Sequence, residues 1–176
     1  MNLEGAQAGR PLEPHDPVQP PGFLPREVFL QVITHAPLVS MDLLATDSEG
    51  RTLVGRRVNP PAAESWFAPG GRVRKGETLD AAFLRLTEAE LGVALPRSAG
   101  RLIGVFEHFY DDSPLTTAGQ GPSTHYVVLA YHLPLPDPTS RPLPGDQHGH
   151  WRWLAADDKA GWAEVHRYTL AYRGHY

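Results

Sequence analysis

The residue types best suited to chemistry are concentrated in "GGRVRKGETLDAAFLRLTEAELGV", residues 70–93 of the 176-residue chain. The adjacent glycines Gly70 and Gly71 let backbone approach a ligand more closely than a side chain would allow. The following pattern predicts a helix over 78–91, with Thr78 as N-cap, Asp80 at the positive end of its dipole and Gly92 as its stop. Glu90 then falls in the last turn, where the dipole disfavours an anion. A carboxylate there needs a cation nearby, either a basic side chain or a metal ion. Arg85 has two readings, a brace that pairs with Glu77 or a ligand for phosphate.

Other candidates are scattered. Asp42 sits in an apolar run, where an unpaired charge is costly; a buried partner or a functional site would explain it equally well. Arg57 and Arg72 are of a type usually left in solvent. His148 follows Gln147 at the end of the long loop "PLPDPTSRPLPGDQHG", and a loop histidine is ordinarily solvated. With an ordinary pKa of about 6.5, it would nevertheless suit proton abstraction at neutral pH. His148 and His150 form an H-x-H pair, but no third zinc ligand is placed by spacing. His108, His125 and Tyr110 fall within strand patterns and are assigned to packing, as are Trp151 and Trp153.

These residues need elements to position them. Residues 1–21, rich in Pro, Gly, Ala and Glu, read as a disordered leader, and residues 22–176 as one domain. Pro25 suits the first turn of a helix carrying Val28, Phe29, Val32 and Ile33 at helical spacing. Strands over 38–45 and 52–56 flank the turn "DSEG", and "VNPPAAESWFAP" is expected to be a loop. Leu79, Ala82, Phe83, Leu86 and Ala89 form the apolar stripe expected to pack the central helix on a sheet. "RLIGVFEHFY", "THYVVLAYHL" and "HWRWLAA" read as three more strands, joined by two long loops, and 161–172 as a closing helix. The sum is a mixed α/β sandwich.

Composition narrows the function. A net charge of −4 argues against general nucleic-acid binding. The absence of cysteine excludes disulfides, thiolate metal sites and a cysteine nucleophile. With no apolar run of membrane-spanning length and no secretion-signal layout, a cytoplasmic enzyme or binding domain is the expectation.

Gly71, Glu77, Arg85, Glu90, Gly92 and Val93 make the stretch resemble the Nudix box, G-x5-E-x7-R-E-U-x-E-E-x-G-U, where U is a bulky aliphatic residue. Leu86 and Ala89 stand where that box has glutamates, and Thr87 where it has an aliphatic. In these departures the chain is similar to the GDP-mannose mannosyl hydrolase branch of the Nudix superfamily. The likeness continues through "PLVSMD", "WFAPGGRV", "HFYDD", "THYVVL" and "DQH…RWL", over roughly residues 23–154. It implies the Nudix fold, an α+β arrangement with a mixed β-sheet sandwiched between helices.

It also implies a ligand set and roles. One Mg²⁺ per subunit, with Mn²⁺ able to substitute, would be held by the carbonyl of Gly70, the carboxylate of Glu90 and the side-chain oxygen of Gln147. His148 would be the general base, Arg57, Arg72 and Arg85 would face the diphosphate, and Asp42 and Tyr126 would support the sugar or metal. Phe23, Leu24 and Phe29 would help hold the nucleotide across the interface of a homodimer, with Arg57 also binding substrate.

The implied reaction follows from what is missing. A glutamate cluster places several metal ions around water that attacks phosphorus. With Leu86 and Ala89 in its place, one ion suffices to stabilise a departing diphosphate, and water is free to attack the anomeric carbon of the sugar with inversion. Two alternatives are carried forward. One is a conventional pyrophosphohydrolase recruiting Glu77, Glu88 or Glu107; the other is an inactive Nudix-fold binding module.

Overall fold

The computed structural model describes residues 24–115, 121–135, 143–145 and 148–176. The expected leader, Phe23, Gln147 and parts of both long loops lie outside the described residues.

Strand β1 (Leu38–Thr46) is buried at nearly every position because it runs through the middle of a mixed sheet. On one side it pairs in parallel with β6 (Thr124–Pro134), from Leu38↔Tyr126 to Thr46↔Pro134. On the other it meets β2 (Thr52–Arg57) only at Thr46↔Thr52, next to the turn. That turn is the expected one. Asp47 Oδ1 accepts from the backbone N–H groups of Glu49 and Arg51 at 3.0 and 2.8 Å, and Gly50 takes φ 74°.

Beyond the turn the two strands separate. β2 goes on to pair with β3 (Trp66–Phe67) and β7 (His148–Leu154), while β4 (Gly70–Arg72) takes the vacated edge of β1. β5 (Arg101–Tyr110) closes the far side on β6. A gap is left between β1 and β2.

Helix α1 (Arg26–His35) buries Phe29 and Ile33 against Leu38, Tyr126 and Val128. Helix α2 (Leu79–Leu91) starts where Thr78 Oγ1 accepts from the Ala81 N–H at 3.1 Å and stops at Gly92, φ 70°. Its buried face differs from the expected stripe. Ala82, Phe83, Leu86, Thr87, Glu90 and Leu91 face the sheet, whereas Leu79 and Ala89 are exposed. Full burial of a side chain such as Phe83 contributes about 1.5–3 kcal/mol. Thr87 is tolerated there because its hydroxyl is satisfied: it reaches the carbonyls of Phe83 and Leu84 at 3.0 Å and accepts from the Leu95 N–H at 2.9 Å.

Three expected boundaries are corrected. Trp66 and Phe67 lie in a strand although the prolines before them do not pair. Gly70 and Gly71 form a strand, because unsubstituted backbone can lie flat against β1. The closing helix is two short ones, α3 (Lys159–Ala163) and α4 (Arg167–Leu170). The break occurs where Val165 bridges to Trp66 and the His166 N–H donates to the Trp66 carbonyl at 2.9 Å. Among the described residues no helix is long and apolar enough to cross a membrane.

Candidate active site

The gap between β1 and β2 opens into a cavity of about 360 Å³, in the range of small-molecule sites. Asp42, Arg57, Gly70, Arg72 and Tyr126, all expected from sequence, line it, together with His108 and Tyr110. Part of the rim is Asn59, Pro60 and Pro61. They belong to a loop whose neck is closed by Arg57 N–H to the Ser65 carbonyl at 3.0 Å and Glu64 N–H to the Arg57 carbonyl at 2.9 Å.

Asp42 faces Gly70 across the β1–β4 ladder. Any Cβ on Gly70 would collide with the Met41 carbonyl and come within 2.9 Å of Asp42 Oδ1, so glycine is required by space. Of the two readings of Asp42, the structure supplies the buried partner. Its Oδ2 accepts from the Tyr172 hydroxyl at 2.6 Å, and it lines the cavity. Burial raises its pKa to about 6, against the Tyr172 hydrogen bond and the charge of Arg57.

The arginines divide. Arg57 lies 5.7 Å from the Phe67 ring centre, and its buried Nε has no hydrogen-bond partner among the described residues, an arrangement that leaves a donor for a ligand. Arg72 rests on the Phe29 ring. Arg85 is the brace: its Nε is 2.5 Å from Glu77 Oε1, and one terminal nitrogen reaches Glu77 Oε2 at 2.8 Å and the Arg72 carbonyl at 2.9 Å. It shapes the backbone under Arg72 and does not line the cavity. Phe29 is buried beneath Arg72, and Leu24 is exposed.

Glu90 and His148 form a second group. Both are 3% exposed, and His148 Nδ1 is 3.6 Å from Glu90 Oε2. Where α2 meets β4, Arg85 bonds the Arg72 carbonyl and Leu86 abuts Gly71. His148 is not a loop residue. It opens β7 opposite Arg57, its ring seated where a Cβ on Gly55 would be and 4.6 Å from the Trp151 ring. Burial, reinforced by Arg57, lowers its pKa to about 4, so the imidazole is neutral at pH 7. Its buried Nε2 has no partner among the described residues. His148 and Glu90 do not line the cavity, from which they are set back.

The donor chemistry fits a hard cation. Of the three residues expected to hold Mg²⁺, Glu90 carries a carboxylate and Gly70 a carbonyl, oxygen donors of the kind that ion takes, and Gln147 lies outside the described residues. Among the described residues no group of three or more His, Cys, Asp and Glu is placed to hold a metal ion.

Sequence reasoning missed His108, Tyr110 and Tyr172. His108 and Tyr110 do pack, as their strand pattern predicts, but they also line the cavity. Tyr172 lies 130 positions from its partner Asp42, and no local pattern joins them.

Comparison with known proteins agrees with the fold. Residues 36–172 match the model of the NUDIX domain. The "Low-salt glycan biosynthesis protein Agl8" of Haloferax volcanii is 39% identical over 119 residues, 68% of this chain and 72% of that protein. Among solved structures, a MutT NUDIX hydrolase from Burkholderia pseudomallei superposes with a TM-score of 0.57 at 26% identity, over 78% of this chain and 95% of that one. The MutT protein from Methanosarcina mazei Go1 gives a TM-score of 0.59 at 18% identity, over 76% and 88%. This last likeness speaks for the fold alone. With the domain match spanning most of its length and the box residues running from β4 through the end of α2, the chain belongs to the Nudix hydrolase family.

Proposed function

We propose that the protein hydrolyses GDP-mannose to GDP and mannose, with water attacking the anomeric carbon and inverting it. The observation that carries this reading is the state of the box on α2. Leu86 is buried against Gly71, and Ala89 is exposed, so the helix offers Glu90 where a cluster of glutamates would stand. The relative named for glycan biosynthesis is in keeping with a sugar nucleotide as substrate.

Arg57 and Arg72 would bind the diphosphate, and Asp42 and Tyr126 the sugar end. Gly70, Glu90 and Gln147 would hold Mg²⁺. That ion, when bound, offsets charge on the leaving diphosphate. His148 would take the proton from water, since its imidazole is neutral and its Nε2 lacks a partner among the described residues. For this it must turn toward the cavity. The β2–β7 ladder is already irregular between Arg56 and Arg57, where β7 opposes them with His150 and His148, and such a bulge can re-aim a side chain. The active form is proposed to be a cytoplasmic homodimer.

The pyrophosphohydrolase reading has less support. Glu77 is bound to Arg85 and to the Arg74 N–H, and Glu88 and Glu107 are exposed. Hydrolysis of GDP-mannose in heavy-oxygen water with Mg²⁺ tests the proposal. Labelled mannose and unlabelled GDP are expected; GMP with mannose 1-phosphate, or label in a phosphate, would overturn it. Tight nucleotide binding without turnover would favour the inactive module.

A further inference from the structure

Behind the cavity wall, one hydroxyl joins two side chains from distant strands. Tyr172 reaches Asp42 Oδ2 at 2.6 Å, and the same oxygen is 3.0 Å from His108 Nε2. All three residues are buried. A tyrosine hydroxyl has one hydrogen, and a carboxylate can only accept. That hydrogen is therefore committed to Asp42, and His108 must donate Nε2–H to the hydroxyl oxygen. The lone pair of the neutral imidazole is left on Nδ1, with the Tyr110 hydroxyl 3.5 Å away.

The C-terminal segment holds this line in place. The Tyr168 ring stacks on His108 at 4.0 Å and 12°, and its hydroxyl is clamped between the Phe109 N–H and carbonyl at 2.6 and 2.7 Å. Thr169 Oγ1 accepts from the buried Ala68 N–H at 3.0 Å, pinning α4 to the segment between β3 and β4. The Tyr172 ring itself packs edge-on against Phe106 at 4.8 Å.

We propose that Tyr172 is a positioning residue, which by donating to Asp42 and accepting from His108 fixes the carboxylate's orientation and the imidazole's Nε2–H tautomer. Its consequence is a polarity for the cavity. With the Tyr172 hydrogen occupying Oδ2, Asp42 turns Oδ1 as an acceptor toward Gly70, and Tyr110, by donating to His108 Nδ1, keeps its oxygen free to accept. Arg57 and Arg72 supply donors. The ligand class that suits both is an anion carrying hydroxyl groups. This role rests on the cavity being the substrate site proposed above.

Tyr172→Phe removes only the hydroxyl and keeps the ring against Phe106. In the ¹⁵N-labelled full-length protein, with His108 signals assigned by their loss in His108→Gln, the parent should show Nε2 protonated and Nδ1 bare. The variant should show a mixture of tautomers, and its kcat on GDP-mannose should fall on the order of 10-fold, the loss expected of a charge-assisted hydrogen bond. A merely structural tyrosine would leave the tautomer unmoved. An Nδ1-protonated His108 in the parent, or an unchanged single tautomer in Tyr172→Phe, overturns the proposal. Should the variant not fold, the parent spectrum decides alone. If the tautomer shifts as stated but the parent does not act on GDP-mannose, the substrate assignment fails and the positioning role stands.

Discussion

The guanidinium of Arg72 lies 4.2 Å from the centre of the Phe29 ring, so α1 supplies the floor on which a cavity arginine rests. A cation–π contact of this kind contributes about 0.5–2 kcal/mol. Phe29→Leu preserves apolar volume and removes the π face. Its expected effect is a rise in KM of about 3- to 30-fold with kcat little changed, read from steady-state kinetics. An unchanged KM would show that Arg72 holds its place without the ring.

His148→Gln should lower kcat by about 10²–10⁴-fold in the folded protein, the usual contribution of a positioned base. Gly55→Ala offers an independent route to the same group, because the new methyl would occupy the space of the His148 ring. It should reduce turnover in the same direction. Full activity in Gly55→Ala would mean that the seat of the ring is irrelevant to catalysis.

Glu77 and Arg85 form a partly buried pair, and Arg85's hydrogen bonds hold the Glu77 carboxyl below the usual carboxylate range. A depressed carboxyl stabilises the fold fully above its unfolded pKa of about 4.3, and that contribution disappears as pH falls through the lower folded value. Glu77→Gln should therefore cost about 1–3 kcal/mol at neutral pH, and the difference from the parent should shrink in strong acid. Denaturant titrations at several pH values measure it; a pH-independent difference would rule out the ionic origin.

Thr87→Val restores the aliphatic residue of the Nudix box and should nonetheless destabilise. It strips the acceptor from the part-buried Leu95 N–H, at a cost of about 1 kcal/mol. A chemical-denaturation midpoint at or above the parent's would refute this account of Thr87.

Much of this architecture was legible in local pattern. The hairpin turn, the N-cap Thr78 and the stop at Gly92 follow from rules that act within a few residues, and they were found where expected. Asp42, Arg57, Gly70, Arg72 and Tyr126 were all named from sequence, and they share one cavity. The rotated face of α2 was not legible, because Thr87 and Glu90 are buried by partners that no hydropathy pattern reveals. Nor was the role of Tyr172, whose contacts with Asp42 and His108 exist only after the chain has folded. The strand position of His148 is not legible locally, because the strand it opens is set by pairing with β2, a long-range event.

The rim loop with Asn59, Pro60 and Pro61 is tied off at its neck by backbone hydrogen bonds between Arg57, Glu64 and Ser65, while the sheet beneath is complete without it. It is thus an exchangeable module. Evolution or an engineer could swap its composition and length to retune which molecules enter, leaving the buried framework untouched.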